Sequence, residues 1–231
     1  LLLASPSQSE EPVDPAGNAC ELAVEEPSSA VASLPFRTID GRIYVDAMVN
    51  GTGPHVFAID TGASGMGRAD ESLARALSLP ADGEDESSDG ISTAQVEKVR
   101  VESIALGGLV RDDLSVISRD YRSKVSPEAA FSGILGREFF ADGLLVIDFP
   151  RHRLSFYTDR DMRNSLPGAM SYERAFRIPV TLGEMETVAN LDTGANVTMV
   201  LPGSVAAELG AASVPAGGTA SLTNGKVAIS D

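Results

Sequence analysis

At 231 residues the chain is long enough for one large or two small domains with a proper core. Its formal charge of -15 argues against nucleic acid and against an anionic membrane surface as partners, and with no Trp the packing must come from Val, Ile, Leu and Ala. Cys20 is the single cysteine, which rules out an intrachain disulfide; His55 and His152 lie far apart beside turn signals, so neither a metal nor another cofactor is expected.

Leu1-Leu2-Leu3-Ala4-Ser5 reads either as the tail of a signal peptide with its small-residue exit or as a cut through a longer sequence. The first reading implies export, to the periplasm or the medium. Gly17-Asn18-Ala19-Cys20 lacks the apolar run that precedes a lipid-modified cysteine. Residues 1–33 are rich in Ser, Pro, Ala and Glu and are expected to form a disordered acidic leader. No apolar stretch approaches the roughly 20 residues of a membrane span.

A first lobe is expected over 34–158. Arg42 to Asn50 alternates, with Ile43, Val45, Ala47 and Val49 on one face, and predicts a strand. Asn50-Gly51-Thr52-Gly53-Pro54 predicts a turn, and Val56 to Ile59 a return strand that delivers Asp60 to Thr61-Gly62-Ala63-Ser64. A carboxylate placed there is costly unless donors or a shared proton compensate it. Leu73, Ala76, Leu77 and Leu79 have helical spacing over 69–79, and Pro80 ends that helix. The acidic run 81–90 reads as a solvated loop. Strands follow over 91–106 and 109–117, then a polar excursion over 121–130. Phe131 to Gly136 is an apolar run ending at Gly, 137–141 predicts a short helix, and 144–149 with 153–157 predicts a hairpin. Residues 159–174 lack apolar periodicity and read as a linker.

From residue 175 the chain repeats its plan, in a second lobe over 175–231. Leu191-Asp192-Thr193-Gly194-Ala195-Asn196 matches Ile59-Asp60-Thr61-Gly62-Ala63-Ser64. Gly51 lies nine residues before Asp60, and Gly183 nine before Asp192. Leu73 and Leu77 follow Asp60 by 13 and 17 residues, as Val205 and Leu209 follow Asp192. Four such matches in register mark a duplication. After Asp60 the first half runs on for 98 residues to Thr158, whereas 39 remain after Asp192. The second lobe is therefore expected to be incomplete, with a natural continuation of roughly 60 residues estimated by equating repeat lengths.

The two Asp-Thr-Gly-Ala segments, with Gly133-Ile134-Leu135-Gly136-Arg137, resemble the pepsin and retropepsin superfamily of aspartic proteases, and within it bacterial retropepsin-like members carrying both halves on one chain. The resemblance covers roughly Phe36 to Asp231. It implies an all-β fold of two acid-protease-like β-barrel lobes related by a pseudo-two-fold, with short helices. It implies Asp60 and Asp192 as the catalytic pair, and cross-bracing of the two loops by the hydroxyls of Thr61 and Thr193. Ile134, Leu135 and Gly136 would pack under the active-site loop. A flap would lie near Asp89 to Val96, with Gly90, Ser92 and Thr93 at its tip; an ordinary hairpin is the alternative there. Retropepsins commonly carry an acidic residue where Ser64 stands, which leaves the partner of Arg137 open.

The residue types suit that chemistry. Gly62 and Gly194 lack Cβ and let the backbone approach a carboxylate. The Ser64 hydroxyl and the Asn196 amide are able to donate to Asp60 and Asp192, or else simply cap turns. Two adjacent carboxylates share one proton, so one member accepts a proton from water while the other donates to a scissile carbonyl. The expected function is an aspartic endopeptidase acting on extended polypeptides. The alternative is a non-catalytic module of the same fold that holds a peptide or partner. A paired-carboxylate glycosidase is disfavoured by the scarcity of aromatics for sugar stacking, and a phosphoryl-accepting Asp-Lys-Thr-Gly site fails because no lysine follows either aspartate.

Overall fold

In a computed structural model the residues described are 30–88, 93–159, 169–172, 175–196, 200–210, 218–221 and 226–229. The first half contains strands β1 (Ala32–Pro35), β2 (Arg37–Ile39), β3 (Arg42–Val49), β4 (Thr52–Asp60), β5 (Gly67–Asp70), β6 (Ala81–Ser88), β7 (Thr93–Leu106), β8 (Leu109–Arg119), β9 (Gly133–Gly136), β10 (Leu144–Asp148) and β11 (Arg153–Tyr157). The second contains β12 (Arg177–Leu182), β13 (Met185–Asn190), β14 (Gly218–Ser221) and β15 (Lys226–Ile229). Among the described residues two short α-helices, Glu71–Ala76 and Gly203–Glu208, interrupt this plan. The fold is all-β, of the acid-protease-like kind. No helix among the described residues is long and apolar enough to cross a membrane.

Eight strands form one sheet in the order β2-β3-β4-β9-β5-β8-β7-β6, and an extra pairing of β3 with β7 curls it back on itself. The turn between β3 and β4 follows from Asn50 and Gly51, both at positive φ (49 and 71°), the backbone twist that suits a tight hairpin. The chain order then places β9 between β4 and β5, parallel to the first and antiparallel to the second. Alternation along β4 decides what each face does. Phe57 and Ile59 enter the main core with Ile43, Val45 and Leu135, while Ala58 joins a second cluster with Tyr44, Tyr121, Phe131 and Ile134. Asp60, two residues beyond Ala58, shares that second face. A fully buried Leu or Phe contributes about 1.5–3 kcal/mol, so the strand carrying Asp60 is held firmly from below.

Three expectations are corrected. The acidic stretch 81–90, read as a solvated loop, is strand β6 as far as Ser88. It pairs with β7, and Asp82 and Asp85 face Arg100 and Lys98 across the ladder at 3.8 and 3.9 Å. Its charges sit on a sheet edge, where they discourage further pairing. The helix predicted over 69–79 is shorter, because Gly67–Asp70 is drawn into the sheet between β8 and β9, and Asp70 then caps the helix by accepting from Ser72 N. Finally, order begins before Leu34: Ala32 is buried and β1 pairs with β11. The parts of the leader and linker at 1–29, 160–168 and 173–174 lie outside the described residues, as do Gly90 and Ser92 of the predicted flap. Thr93 opens β7 opposite Ser88, at the base of that hairpin.

The repeat is visible in the backbone. Gly183 takes the left-handed conformation that Gly51 takes (φ 63 and 71°). The two helices start and stop at the same distance from their aspartates, with Leu77 and Leu209 as C-caps. The settings differ. β12–β13 and β14–β15 are separate two-stranded sheets, and no described residue from 169 to 210 is fully buried.

Candidate active site

Asp60 ends β4, where Gly136 of β9 lies alongside it. The following loop cannot drift, because β9 and its continuation hold it. Gly136 N donates to Met66 O (3.1 Å), and Arg137 N donates to Ala63 O (3.2 Å). Arg137 Nη1 donates to Gly62 O at 3.1 Å, and its Nε lies 3.2 Å from Glu138 Oε1. These are the partners of Arg137 that the serine at position 64 left open. A methyl on Gly136 would collide with the Gly65 carbonyl, so only glycine lets β9 pass this close under the loop. Ile134, Leu135 and Gly136 thus lie beside and beneath the Asp60 loop.

The second loop meets the first across a two-fold pattern of hydrogen bonds. Thr61 N donates to Thr193 Oγ1 (3.1 Å), and Thr193 N donates to Thr61 Oγ1 (3.0 Å). Thr61 Oγ1 donates in turn to Leu191 O (2.7 Å), and Thr193 Oγ1 to Ile59 O (2.8 Å). Each hydroxyl is therefore both donor and acceptor, which only Ser or Thr among aliphatic-sized side chains can do. The glycines complete the exchange: a methyl on Gly62 would overlap the Asp192 carboxylate, and a methyl on Gly194 would overlap that of Asp60.

The two carboxylates are thereby brought together, each seated against the other loop's glycine, and the charge of Asp192 bears on Asp60. Asp60 Oδ1 also accepts from Ala63 N (2.8 Å), and Asp192 Oδ1 from Gly194 N (2.8 Å). Burial, then the neighbouring charge of Asp192, pushes the Asp60 carboxyl up to about 6. A group poised there exchanges protons readily near neutral pH. Ser64 and Asn196 do not make the contacts predicted for them: both are exposed and neither bonds to its aspartate, because a backbone N–H in each loop already does so.

Three contributors escape a reading of the sequence. Arg42 Nε donates to Gly194 O at 2.7 Å, tying the start of β3 to the second loop. Asp70 is buried and fully engaged. Burial alone would raise its carboxyl, but donation from Ser72 N and Oγ, Arg122 N and Tyr121 N outweighs this and lowers it. It thereby fixes Tyr121 against the cluster below Asp60. Arg68 is buried on that same side. Its repeat partner eight residues after Asp192 is Val200, so a charge against an apolar residue in register was the available signal.

Residues 45–139 match the family model for aspartyl proteases. No curated protein matches the chain.

Proposed function

We propose, from the retropepsin-like aspartic protease family that the match over residues 45–139 supports, that the chain is an aspartic endopeptidase. The observation that carries the reading is the reciprocal seating of the two loops, each glycine against the other loop's carboxylate. Adjacent carboxylates that share one proton can divide the work of base and acid, as the aspartic proteases exemplify. The ionised member takes a proton from water as the water attacks the scissile carbonyl carbon. The protonated member donates to the carbonyl oxygen, giving a tetrahedral intermediate without a covalent enzyme adduct. Protons shared between adjacent carboxylates belong to the pair, and either aspartate can serve as base. A polypeptide is the substrate, bound extended along the face that carries Asp60.

Asp60→Asn and Asp192→Asn test this directly. Each keeps the side-chain shape but removes proton exchange, and each should lower cleavage of a peptide mixture, followed by mass spectrometry, by roughly 100-fold or more. Near-normal cleavage by either variant overturns the shared-proton mechanism. A second reading, a peptide-holding module without turnover, draws support from the exposure of Asp192. Binding of peptides that remain intact in the wild-type protein would favour it.

A further inference from the structure

The register across the main sheet sets out a row of side chains beside Asp60. Tyr44 on β3 pairs with Ala58 on β4, Ala58 with Ile134 on β9, and Ile134 with Arg68 on β5. Residues directly opposite one another across a ladder share a face. The row therefore lies on the side that carries Asp60, and it ends in a guanidinium. Arg68 is only 9% exposed. Among the described residues it makes no ion pair and no side-chain hydrogen bond of ordinary geometry.

A buried guanidinium with five N–H donors and no acceptor is expensive. Two carboxylates on this side are near enough in sequence and register to be considered, and both are committed. Asp70 accepts four hydrogen bonds from Ser72, Tyr121 and Arg122. Asp60 accepts from Ala63 N and is closed in by Gly194 of the second loop. The other polar groups beside it are hydroxyls, which donate and accept but carry no charge. The hydroxyls of Tyr44 and Tyr121 are buried without a hydrogen-bond partner, and their rings flank Phe131 at 6.1 Å each. Burial raises the Tyr121 phenol, Arg68 and Arg119 pull it down and the charge of Asp60 pushes it up, so both guanidiniums and Asp60 lie near it. In a protein of net charge -15 this is a locally positive, donor-rich spot next to the paired aspartates.

We infer that Arg68, with the Tyr121 hydroxyl, receives an acidic side chain of the peptide substrate, a Glu or Asp lying beside the bond held at Asp60 and Asp192. A carboxylate supplies what the spot lacks, since it accepts two parallel bonds from a guanidinium and retains a lone pair for the phenol. A substrate extended past Asp60 brings one side chain towards the Arg68 end of that row, whose other members are buried. Glutamine has the same shape as Glu but brings donors of its own and no charge. The site thus selects for charge and not only for size.

This assignment rests on the endopeptidase reading for its substrate class, and its test separates the two. Otherwise identical octapeptides carrying Glu or Gln at one position at a time are titrated against the whole chain by fluorescence anisotropy, and the same peptides are scored for cleavage. At one position Glu should bind at least about tenfold more tightly than Gln, as expected for a charge-assisted pair. Arg68→Gln should erase that gap, and Arg68→Lys should restore part of it. Equal binding of Glu and Gln peptides at every position overturns the assignment, without reliance on the folding of any variant. Survival of the gap in Arg68→Gln overturns it as well. A Glu preference in binding without cleavage would sustain the Arg68 site while removing the endopeptidase reading.

Discussion

The two Asp-Thr-Gly loops have nearly the same internal bonds and very different foundations. The first is the end of a strand inside an eight-stranded sheet, with Ile59 and Leu135 fully buried beneath it. The second ends a two-stranded hairpin whose residues are at best half-buried, and Leu191, just before its aspartate, is 54% exposed. Yet Thr193 and Gly194 mirror Thr61 and Gly62 in their partners. Loop geometry is therefore set by the short motif and by its mate, whereas the electrostatic setting is supplied by the lobe around it. Within the first lobe, burial raises the Asp60 carboxyl.

The comparison is broken most severely by adding a methyl group at the crossing point. Gly62→Ala and Gly194→Ala each drive a Cβ into the opposite carboxylate. The first loop is anchored by β9 and Arg137, so the second should yield in both variants. A displacement near 1 Å costs roughly 100-fold in rate, and both variants should lose peptide cleavage on that scale. Hydrogen exchange should show loss of protection over 185–196 with little change in β4 and β9. Equal loss of protection in both lobes would contradict the difference in foundations.

A smaller effect should appear in the pH dependence of stability. The Asp60 carboxyl is raised from 3.8 to about 6 in the folded chain, so the folded state binds its proton more tightly than the unfolded state. Its contribution is fully present below about pH 4 and is lost as pH rises through about 6. A shift of about two units corresponds to about 3 kcal/mol at most. Denaturant unfolding of the wild type should therefore lose stability across that window. Asp60→Asn, which cannot titrate, should remove that decline, and an unchanged slope in the variant would show that burial does not govern Asp60.

What the sequence made legible follows from the same contrast. The duplication, the paired aspartates and most strands could be read because they rest on local period and on identical short motifs. Gly183 and the helix at 203–208 fell in register with Gly51 and 71–76 for that reason. Strand β6 was missed because its acidic residues carry no apolar alternation; its place comes from pairing with Lys98 and Arg100 on β7. Arg42, Asp70 and Tyr121 were missed because their partners are 51 to 152 residues away along the chain. Arg68 had a visible signal, a charge opposite Val200 in the repeat, but its meaning depends on which face of the sheet it occupies.

The smallest effect belongs to Ser64 and Asn196, the positions following each Asp-Thr-Gly-Ala. By residue type they are the natural donors to the outer carboxylate oxygens. In the structure both are exposed, and the N–H groups of Ala63 and Gly194 serve the aspartates instead. Replacing an exposed side chain that makes no such bond usually changes stability by no more than about 0.5 kcal/mol. Ser64→Ala and Asn196→Ala should thus leave unfolding midpoints and peptide cleavage close to wild type. Thr61→Val and Thr193→Val provide the contrast. Each removes a hydroxyl that both donates and accepts, leaving a carbonyl and an N–H without partners at a cost of about 1–3 kcal/mol for each orphaned group. If Ser64→Ala lowered cleavage as far as Thr61→Val, the serine would have to reach Asp60 once a substrate is bound, and the loops would owe their chemistry to side chains that the resting geometry leaves idle.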